Sequence, residues 1–270
     1  MSAARGISTL ATALAALMVT AGCAPGHRTT GPVRPGAASP PAGPGAASQA
    51  RSAPRALDGC LTAAGGTIET AGVTIETVPE AGGGTLTLGI VGTGPRVVVL
   101  SNQSDENLCS WRPVSARLAA AGYRVVLWDY GGRPPADELA SVVRRLRSSG
   151  ATRLVLMGAS EGAKASLVAA ARIRPAVQGV VSLSAESVLL PAITVLDSVR
   201  RLHCPLLLVT ADQDAFGSAQ AARQFLAAAP SRDSNLLRVP GSDHGTALLA
   251  GRWAATTWPA IVAFLRRVLE

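Results

Sequence analysis

One serine of the chain lies in a short pattern that suits nucleophilic catalysis. Ser160 stands in the run Gly-Ala-Ser-Glu-Gly at 158–162, directly after the apolar run at 154–157. Small residues two positions before and after a serine permit the sharp strand-to-helix turn that exposes its hydroxyl, because backbone approaches closely there. A helix that follows the serine points its amide N–H groups at the charge that forms during acyl transfer. The pattern therefore predicts a nucleophile at Ser160.

The elements around this serine alternate between strands and helices. Apolar runs such as residues 96–100 indicate strands covered on both faces, and the alternation predicts an α/β fold with a mostly parallel, doubly wound sheet flanked by helices. Strands are predicted at 73–78, 85–91, 96–100, 123–128, 153–157, 177–183, 206–210 and 236–239, the first two of them antiparallel. Helices are predicted at 111–121, 137–147, 162–172, 193–202, 218–228 and 258–269.

Residues 58–270 resemble the α/β-hydrolase family, in which an acid and then a histidine follow the nucleophile along the chain. The strand predicted at 206–210 ends in Ala-Asp-Gln-Asp-Ala-Phe, which resembles the family's acid loop with Asp214 at the acid position and Asp212 as its competitor. The strand predicted at 236–239 leads to Pro-Gly-Ser-Asp-His-Gly, which resembles the loop that carries the family's histidine, here His244. The resemblance thus implies a triad of Ser160, Asp214 and His244.

The chemistry of a triad explains why these residue types are needed. A serine hydroxyl is a poor nucleophile near neutral pH unless an adjacent base takes its proton, and an acid must orient that base. Two other histidines are present, but His27 lies in the N-terminal segment and His203 precedes a predicted strand. His244 is therefore the histidine that we expect to act as the base.

The resemblance also implies an oxyanion hole built from two backbone donors. The first donor is the N–H of Glu161, the residue after the nucleophile. The family usually carries a His-Gly pair after its third strand, where this chain has Asn102-Gln103. The second donor is therefore expected from Gln103 or Ser104, and Asn102 is expected to line the pocket.

Lys164 is the only lysine of the chain and lies four residues after Ser160, on the same face of the predicted helix. A Ser-Lys catalytic device is one interpretation, but Ser-x-x-Lys enzymes use a spacing of three and His244 already supplies a base. The favoured interpretation is an ion pair with Glu161 or Glu186 that shapes the pocket.

The segment at 184–205 decides what covers the site. This segment joins the strands predicted at 177–183 and 206–210. Many family members insert a helical lid there, whereas this segment has room for about one helix. We therefore expect a minimal lid, an open site and a preference for esters of small or exposed acyl groups over long-chain triglycerides. No metal or organic cofactor is expected for this chemistry.

The N-terminal segment predicts export. Arg5 precedes an apolar stretch at 7–19 that is too short to span a bilayer comfortably, which is typical of a signal peptide. Val-Thr-Ala-Gly-Cys at 19–23 resembles a bacterial lipobox and implies that Cys23 is acylated, which would anchor the protein on the outer face of the cell membrane. Cleavage and release is the alternative. Residues 24–57, rich in Pro, Gly and Ala, are predicted to be a disordered linker.

Three cysteines follow the lipobox. Cys204 lies at the start of an apolar strand and is expected to be a small buried residue. Cys60 and Cys109 lie in loop-like surroundings, and because an exported protein meets an oxidising environment we predict a disulfide between them. The cysteine and histidine spacings match no metal site.

The charge of the chain points away from nucleic acid. The formal net charge is +8, but residues 1–57 hold five arginines and no acidic residue, and aromatic residues make up 3% of the chain.

Together, the triad, the short lid segment and the N-terminal segment predict a monomeric hydrolase of a small-molecule ester at the cell envelope. A peptidase or thioesterase of the same fold, or a binding protein that retains the fold without catalysis, are the alternatives.

Overall fold

The computed structural model describes residues 73–80, 83–189 and 193–270. The predicted signal peptide (1–23), the linker (24–57), Cys23 and Cys60 lie outside the described residues, so the expectations about them stay predictions. Within the described ranges, no helix is both long and apolar enough to cross a membrane.

A central sheet of eight strands dominates the described part of the chain. Its strands are β1 (Val73–Pro79), β2 (Thr85–Val91), β3 (Arg96–Ser101), β4 (Arg124–Trp128), β5 (Arg153–Ala159), β6 (Gly179–Leu183), β9 (Leu206–Ala211) and β10 (Asn235–Val239). Two short strands, β7 (Val188–Leu189) and β8 (Ile193–Thr194), form a separate two-stranded sheet. The sheet has the order β1-β2-β4-β3-β5-β6-β9-β10. β2 is antiparallel to β1 and β4, and the other neighbours in the sheet are parallel. The predicted mostly parallel sheet is confirmed.

Six α-helices flank this sheet in the described residues. They are α1 (Arg112–Ala120), α2 (Pro135–Ser148), α3 (Glu161–Arg172), α4 (Val195–Val199), α5 (Ser218–Ala228) and α6 (Ala254–Leu269). Short 3-10 helices at Leu108–Trp111, Gly245–Leu249 and Gly251–Trp253 precede α1 and α6.

Both faces of the sheet are buried, which explains the continuous apolar runs in its strands. Successive side chains of a strand point to opposite faces, so Leu154 and Leu156 join the core under α2, α3, α4 and α5. Val155 and Met157 join the core on the other face, under α1 and α6. All four side chains are fully buried. The helices on the two faces hold the sheet in place, so the carboxyl ends of its parallel strands meet at one edge.

Two predicted helices differ from the observed ones. The helix predicted at 193–202 is wrong in its first turn, because Ile193 and Thr194 pair with Leu189 and Val188 in a small antiparallel hairpin, and only residues 195–199 are α-helical. The last helix begins at Ala254 rather than near residue 258, so Pro259 lies inside it. The segment in which a single helix was expected thus contains a two-stranded hairpin, β7 and β8, followed by the short helix α4.

Candidate active site

Ser160 stands at the turn between β5 and α3. Its backbone has φ 50° and ψ −112°, and a positive φ is a strained conformation for a residue with a side chain. The turn is held by the N–H of Ser160, which donates to the carbonyl of Leu183 at 2.9 Å, and by the N–H of Ala163, which donates to the carbonyl of Ser160 at 3.0 Å. Strain of this kind persists only where surrounding contacts enforce it, and it exposes the serine hydroxyl at the edge of the sheet.

The two glycines that flank this serine leave no space for a side chain. A Cβ on Gly158 would lie 2.2 Å from the carbonyl oxygen of Gly162, and a Cβ on Gly162 would lie 2.1 Å from the carbonyl oxygen of Ser101. Both obstacles are backbone atoms, which cannot turn aside. Gly158 is therefore required by the tight turn from β5 into α3, and Gly162 is required by the close packing of α3 on the end of β3. Close approach of backbone is the physical reason that the sequence suggested.

His244 is oriented by the acid predicted for it. Nδ1 of His244 lies 2.8 Å from Oδ2 of Asp214, whose side chain is fully buried. Burial alone would raise the pKa of Asp214, but hydrogen bonds from the Ser218 hydroxyl, the Phe216 N–H and His244 outweigh it and lower that pKa. The competitor, Asp212, instead pairs with Arg238 in an exposed ion pair. The structure thus brings Asp214, and not Asp212, to the histidine.

The loop that carries His244 is fastened to two strand ends. The N–H of Gly245 donates to the hydroxyl of Ser184, just after β6, at 3.0 Å. The N–H of Thr246 donates to Oε1 of Gln103, just after β3, at 2.8 Å. Two consecutive backbone donors therefore fix the position of the histidine relative to the sheet. Phe216, which is 66% exposed, covers the imidazole with ring centroids 4.5 Å apart.

The hydroxyl of Ser160 donates to a carboxylate rather than to the imidazole. Its acceptor is Oε1 of Glu186 at 3.1 Å, and the same oxygen lies 3.7 Å from Nε2 of His244. A hydroxyl has a single proton to donate, so the serine and the histidine are not joined by that proton in this arrangement. Glu186 was expected in the pocket, but this contact with Ser160 was not.

Lys164 forms ion pairs with both of the carboxylates considered for it. Its Nζ lies 2.5 Å from Oε2 of Glu186 and 2.9 Å from Oε2 of Glu161. Burial by itself disfavours the ammonium, but the hydrogen bonds and charges of Glu186 and Glu161 outweigh that effect and raise the pKa of Lys164. Lys164 therefore stays charged and cannot act as the free base that a Ser-Lys device needs.

The residues proposed for the oxyanion hole lie at the ends of β3 and β5. Glu161 opens α3, so its N–H lies at the helix N-terminus beside Ser160. Asn102 and Gln103 are buried, whereas Ser104 is exposed. Gln103 is tied to the histidine loop through its side chain, which favours its backbone N–H over that of Ser104 as the second donor.

Three contacts of the site were missed by sequence reasoning. Ser218 donates to Asp214 at 2.6 Å, Ser184 anchors the histidine loop, and the side chain of Gln103 accepts from that loop. Ser218 could have been found, because it follows the acid by four residues at the start of a predicted helix. The other two contacts join distant segments and leave no local pattern.

The described residues contain no group of three or more His, Cys, Asp or Glu side chains arranged to hold a metal ion. Cys204 is a free, buried cysteine, as expected, and burial raises the pKa of its thiol to about 12. Because Cys60 is outside the described residues, its pairing with Cys109 stays a prediction.

Comparison with known proteins identifies the fold. No family model and no curated protein matches the chain. Solved structures do: the esterase domain of a Rhodothermus marinus protein has 21% identity and a TM-score of 0.63, over 73% of this chain and 100% of that one. Dienelactone hydrolase from Anabaena variabilis has 21% identity and a TM-score of 0.61, over 73% and 98%. An esterase from Pyrococcus furiosus has 16% identity and a TM-score of 0.59, over 73% and 91%. The chain therefore has the predicted α/β-hydrolase fold.

Proposed function

We propose that this protein is a serine hydrolase that cleaves carboxylic esters of small or exposed acyl groups through an acyl-enzyme on Ser160. The observation that carries the proposal is the 2.8 Å contact between Nδ1 of His244 and the buried carboxylate of Asp214, at the sheet edge where Ser160 occupies its strained turn. Nucleophile, base and acid follow three different strands, and ligand sites of open α/β sheets gather at these strand ends.

Acylation follows from this geometry. Asp214 accepts a hydrogen bond from Nδ1–H of His244, which leaves the lone pair of Nε2 free to take the proton of the Ser160 hydroxyl. As Oγ forms its bond to the ester carbonyl carbon, the carbonyl oxygen gains a negative charge that the N–H groups of Glu161 and Gln103 stabilise. The imidazolium then gives its proton to the departing alcohol as the ester C–O bond breaks.

Deacylation repeats the same steps with water. His244 takes a proton from a water molecule, whose oxygen attacks the acyl carbonyl, and then returns the proton to Oγ of Ser160 as the acid product leaves. The ionised state of Asp214 favours this role, because a carboxylate with a lowered pKa stays charged and stabilises each imidazolium that forms.

The short segment between β6 and β9 supports the substrate class. Between β6 and β9 the described residues form only the hairpin β7 and β8 and the five-residue helix α4. A segment with so little secondary structure offers little surface to enclose a long acyl chain. Two of the structural neighbours cited above are described as an esterase or an esterase domain, which agrees with ester cleavage.

A panel of p-nitrophenyl esters of increasing acyl length tests this proposal. We expect hydrolysis of short-chain esters by the wild type, loss of hydrolysis in Ser160→Ala and His244→Ala, and declining kcat/KM as the acyl chain lengthens. A preference for chains longer than about ten carbons would contradict the open-site argument. Amide and thioester analogues of the best acyl group would distinguish an esterase from a peptidase or thioesterase.

A second candidate function is a binding protein without catalytic activity. The observation in its favour is the hydrogen bond from the Ser160 hydroxyl to Glu186, which takes the proton away from His244. A folded wild type that hydrolyses none of these esters, amides or thioesters would favour this candidate over the hydrolase.

We also propose that the protein is exported and anchored by a lipid on Cys23. Support comes from the signal-like residues 1–19 and the lipobox-like residues 19–23. Detergent extraction of membranes followed by mass measurement of the mature N-terminus tests it. An acylated Cys23 is expected, and Cys23→Ala should release the protein from the membrane. An unmodified protein with an intact N-terminus would contradict both export and anchoring.

The predicted disulfide between Cys60 and Cys109 is part of the same proposal, because it needs an oxidising compartment. Peptide mapping without reduction should yield one cross-linked peptide pair that contains both residues. Cys204 serves as the internal control, since it is buried and free and should be alkylated only after unfolding. A reduced Cys60 in exported protein would contradict the pairing.

A further inference from the structure

One carboxylate oxygen of Glu186 contacts the proposed nucleophile and also faces the proposed base. Oε1 of Glu186 accepts the hydroxyl proton of Ser160 at 3.1 Å and faces Nε2 of His244 at 3.7 Å. The first distance is a hydrogen bond, and the second is beyond hydrogen-bond range. Since the hydroxyl has one proton, the contact with Glu186 and the contact with His244 are mutually exclusive.

Glu186 is held in this position from two sides. Its other oxygen, Oε2, is paired with the Lys164 ammonium, which is itself paired with Glu161 one turn earlier on α3. Its backbone lies two residues after Ser184, whose hydroxyl receives the N–H of Gly245 and whose own N–H donates to the carbonyl of Val209. The carboxylate is therefore fixed by a mostly buried ion pair and by an anchored strand end, rather than placed freely by a mobile surface side chain.

We propose that Glu186 is a positioning residue that holds the Ser160 hydroxyl away from His244 in the free enzyme, with Lys164 as the group that keeps Glu186 in place. This inference rests on the proposed function of Ser160 and His244. Reaction then requires an exchange of hydrogen bonds in which the hydroxyl rotates until its proton faces Nε2, and no covalent bond changes in that step. Only afterwards does Nε2 take the proton while Oγ attacks.

Glu186 also faces the imidazolium that forms once His244 has taken the proton, and that contact favours the reaction. The two effects differ in distance: the hydroxyl of the free enzyme is bound at 3.1 Å, whereas Nε2 lies 3.7 Å away. The Lys164 ammonium, paired with the other oxygen of Glu186, offsets most of the attraction between Glu186 and the imidazolium. The hydrogen bond from Ser160 to Glu186 in the free enzyme therefore slows the reaction more than the contact between Glu186 and the imidazolium speeds it. Removal of the Glu186 carboxylate should accelerate attack by Ser160.

The rate of covalent labelling by a fluorophosphonate tests this hold directly. In labelling, a bond forms between Oγ of Ser160 and phosphorus, the P–F bond breaks with loss of fluoride, and the hydroxyl proton passes to Nε2 of His244. We expect Glu186→Ala to raise the second-order labelling rate constant about tenfold or more, as the loss of one hydrogen bond to a charged acceptor implies. Glu186→Gln keeps a neutral acceptor oxygen and should raise it by a smaller factor, about threefold.

Two variants serve as controls for the measurement. Asp197→Asn removes a carboxylate from an exposed ion pair with Arg200 on the nearby helix α4 and should label at the wild-type rate. Ser160→Ala reports any labelling at other residues. Thermal unfolding of each variant shows whether it is folded, and a merely structural role of Glu186 would lower the labelling rate or leave it unchanged rather than raise it.

The outcomes separate the inference from the proposed function. A wild type that is labelled at Ser160, together with folded Glu186→Ala and Glu186→Gln that label at the same rate or more slowly, would overturn the hold and leave the hydrolase intact. An unlabelled wild type together with labelled Glu186→Ala would support the inference in its strongest form, in which Glu186 keeps the Ser160 hydroxyl away from His244 at all times in the free enzyme. Absence of labelling in all folded variants would overturn the proposed function, and the inference with it.

Discussion

The side chain of Gln103 accepts a hydrogen bond from the backbone N–H of Thr246 at 2.8 Å, although 143 residues separate them in the chain. Gln103 follows β3 and Thr246 lies two residues after His244. Gly245, between His244 and Thr246, has φ 56°, and a Cβ on it would lie only 1.6 Å from Oε1 of Gln103. This contact thus joins the strand end proposed to stabilise the oxyanion to the loop that carries His244.

Substitution of Gln103 should reduce activity more than stability. Gln103→Leu leaves the N–H of Thr246 without its acceptor, so the loop that holds His244 loses a fixed point, and we expect kcat to fall about 10-fold to 100-fold. The free energy of unfolding should fall by about 1 kcal/mol. Gln103→Glu keeps an acceptor oxygen and should retain more of the activity. Ester kinetics and urea unfolding of both variants check this, and equal kcat in wild type and Gln103→Leu would contradict it.

The choice of acid is tested by a pair of substitutions. Asp214→Asn removes the charge that orients His244 and stabilises its protonated form, and we expect kcat to fall by about 10³-fold to 10⁴-fold. Asp212→Asn removes only an exposed ion pair with Arg238, so activity should stay at the wild-type level and stability should change by less than about 1 kcal/mol. Steady-state ester hydrolysis measures both, and the reverse ranking of the two variants would contradict the assignment.

The lowered pKa of Asp214 predicts how stability depends on pH. Because the folded state binds this proton more weakly than the unfolded state, the stabilisation is complete above the ordinary carboxyl pKa and is lost as pH falls through the lowered folded value. Ser218→Ala removes one hydrogen bond that lowers this pKa.

The wild type should therefore be more stable than Ser218→Ala by about 1.5–3 kcal/mol at neutral pH, with a difference that shrinks as pH falls below about 4. Denaturant unfolding from neutral pH down to about pH 3 measures the difference. A gap between the two proteins that widens in acid would contradict the direction of the shift.

The packing of α3 on β3 predicts a large effect of one methyl group. Gly162→Ala places a Cβ 2.1 Å from the backbone carbonyl of Ser101, and we expect a loss of about 3 kcal/mol or more in unfolding free energy together with loss of ester hydrolysis. Gly89→Ala is the matched control, because its Cβ would make ordinary contacts at 3.8 Å, and it should change stability by less than about 1 kcal/mol. Similar unfolding midpoints for both variants would refute the close-packing argument.

The parts of the site that follow strands could be predicted from the sequence. Ser160, Asp214 and His244 each come after an apolar run, and the carboxyl ends of parallel strands share one edge of the sheet, so strand positions alone bring these residues close together. The need for glycine at 158 and 162 was likewise predictable, because the strained turn leaves no space for side chains.

The contacts of Glu186 and Gln103 could not be predicted in the same way. Glu186 lies in the segment between β6 and β9, where residues 193–194 form a strand although the apolar pattern favoured a helix. Which acceptor the Ser160 hydroxyl chooses depends on a side-chain torsion and on tenths of an ångström in the placement of that segment. Sequence spacing carries neither, so the ion pair of Lys164 was foreseeable and the bond from Ser160 to Glu186 was not.

The central claim is that Ser160 carries the acyl group during turnover, and trapping that intermediate tests it most directly. Wild-type protein mixed with p-nitrophenyl acetate, quenched in acid during turnover and digested, should yield an acetylated peptide that contains Ser160. Ser160→Ala should yield no such adduct and no hydrolysis. Ester hydrolysis that persists in folded Ser160→Ala, or an acetyl group that maps to another residue of the active wild type, would contradict the account.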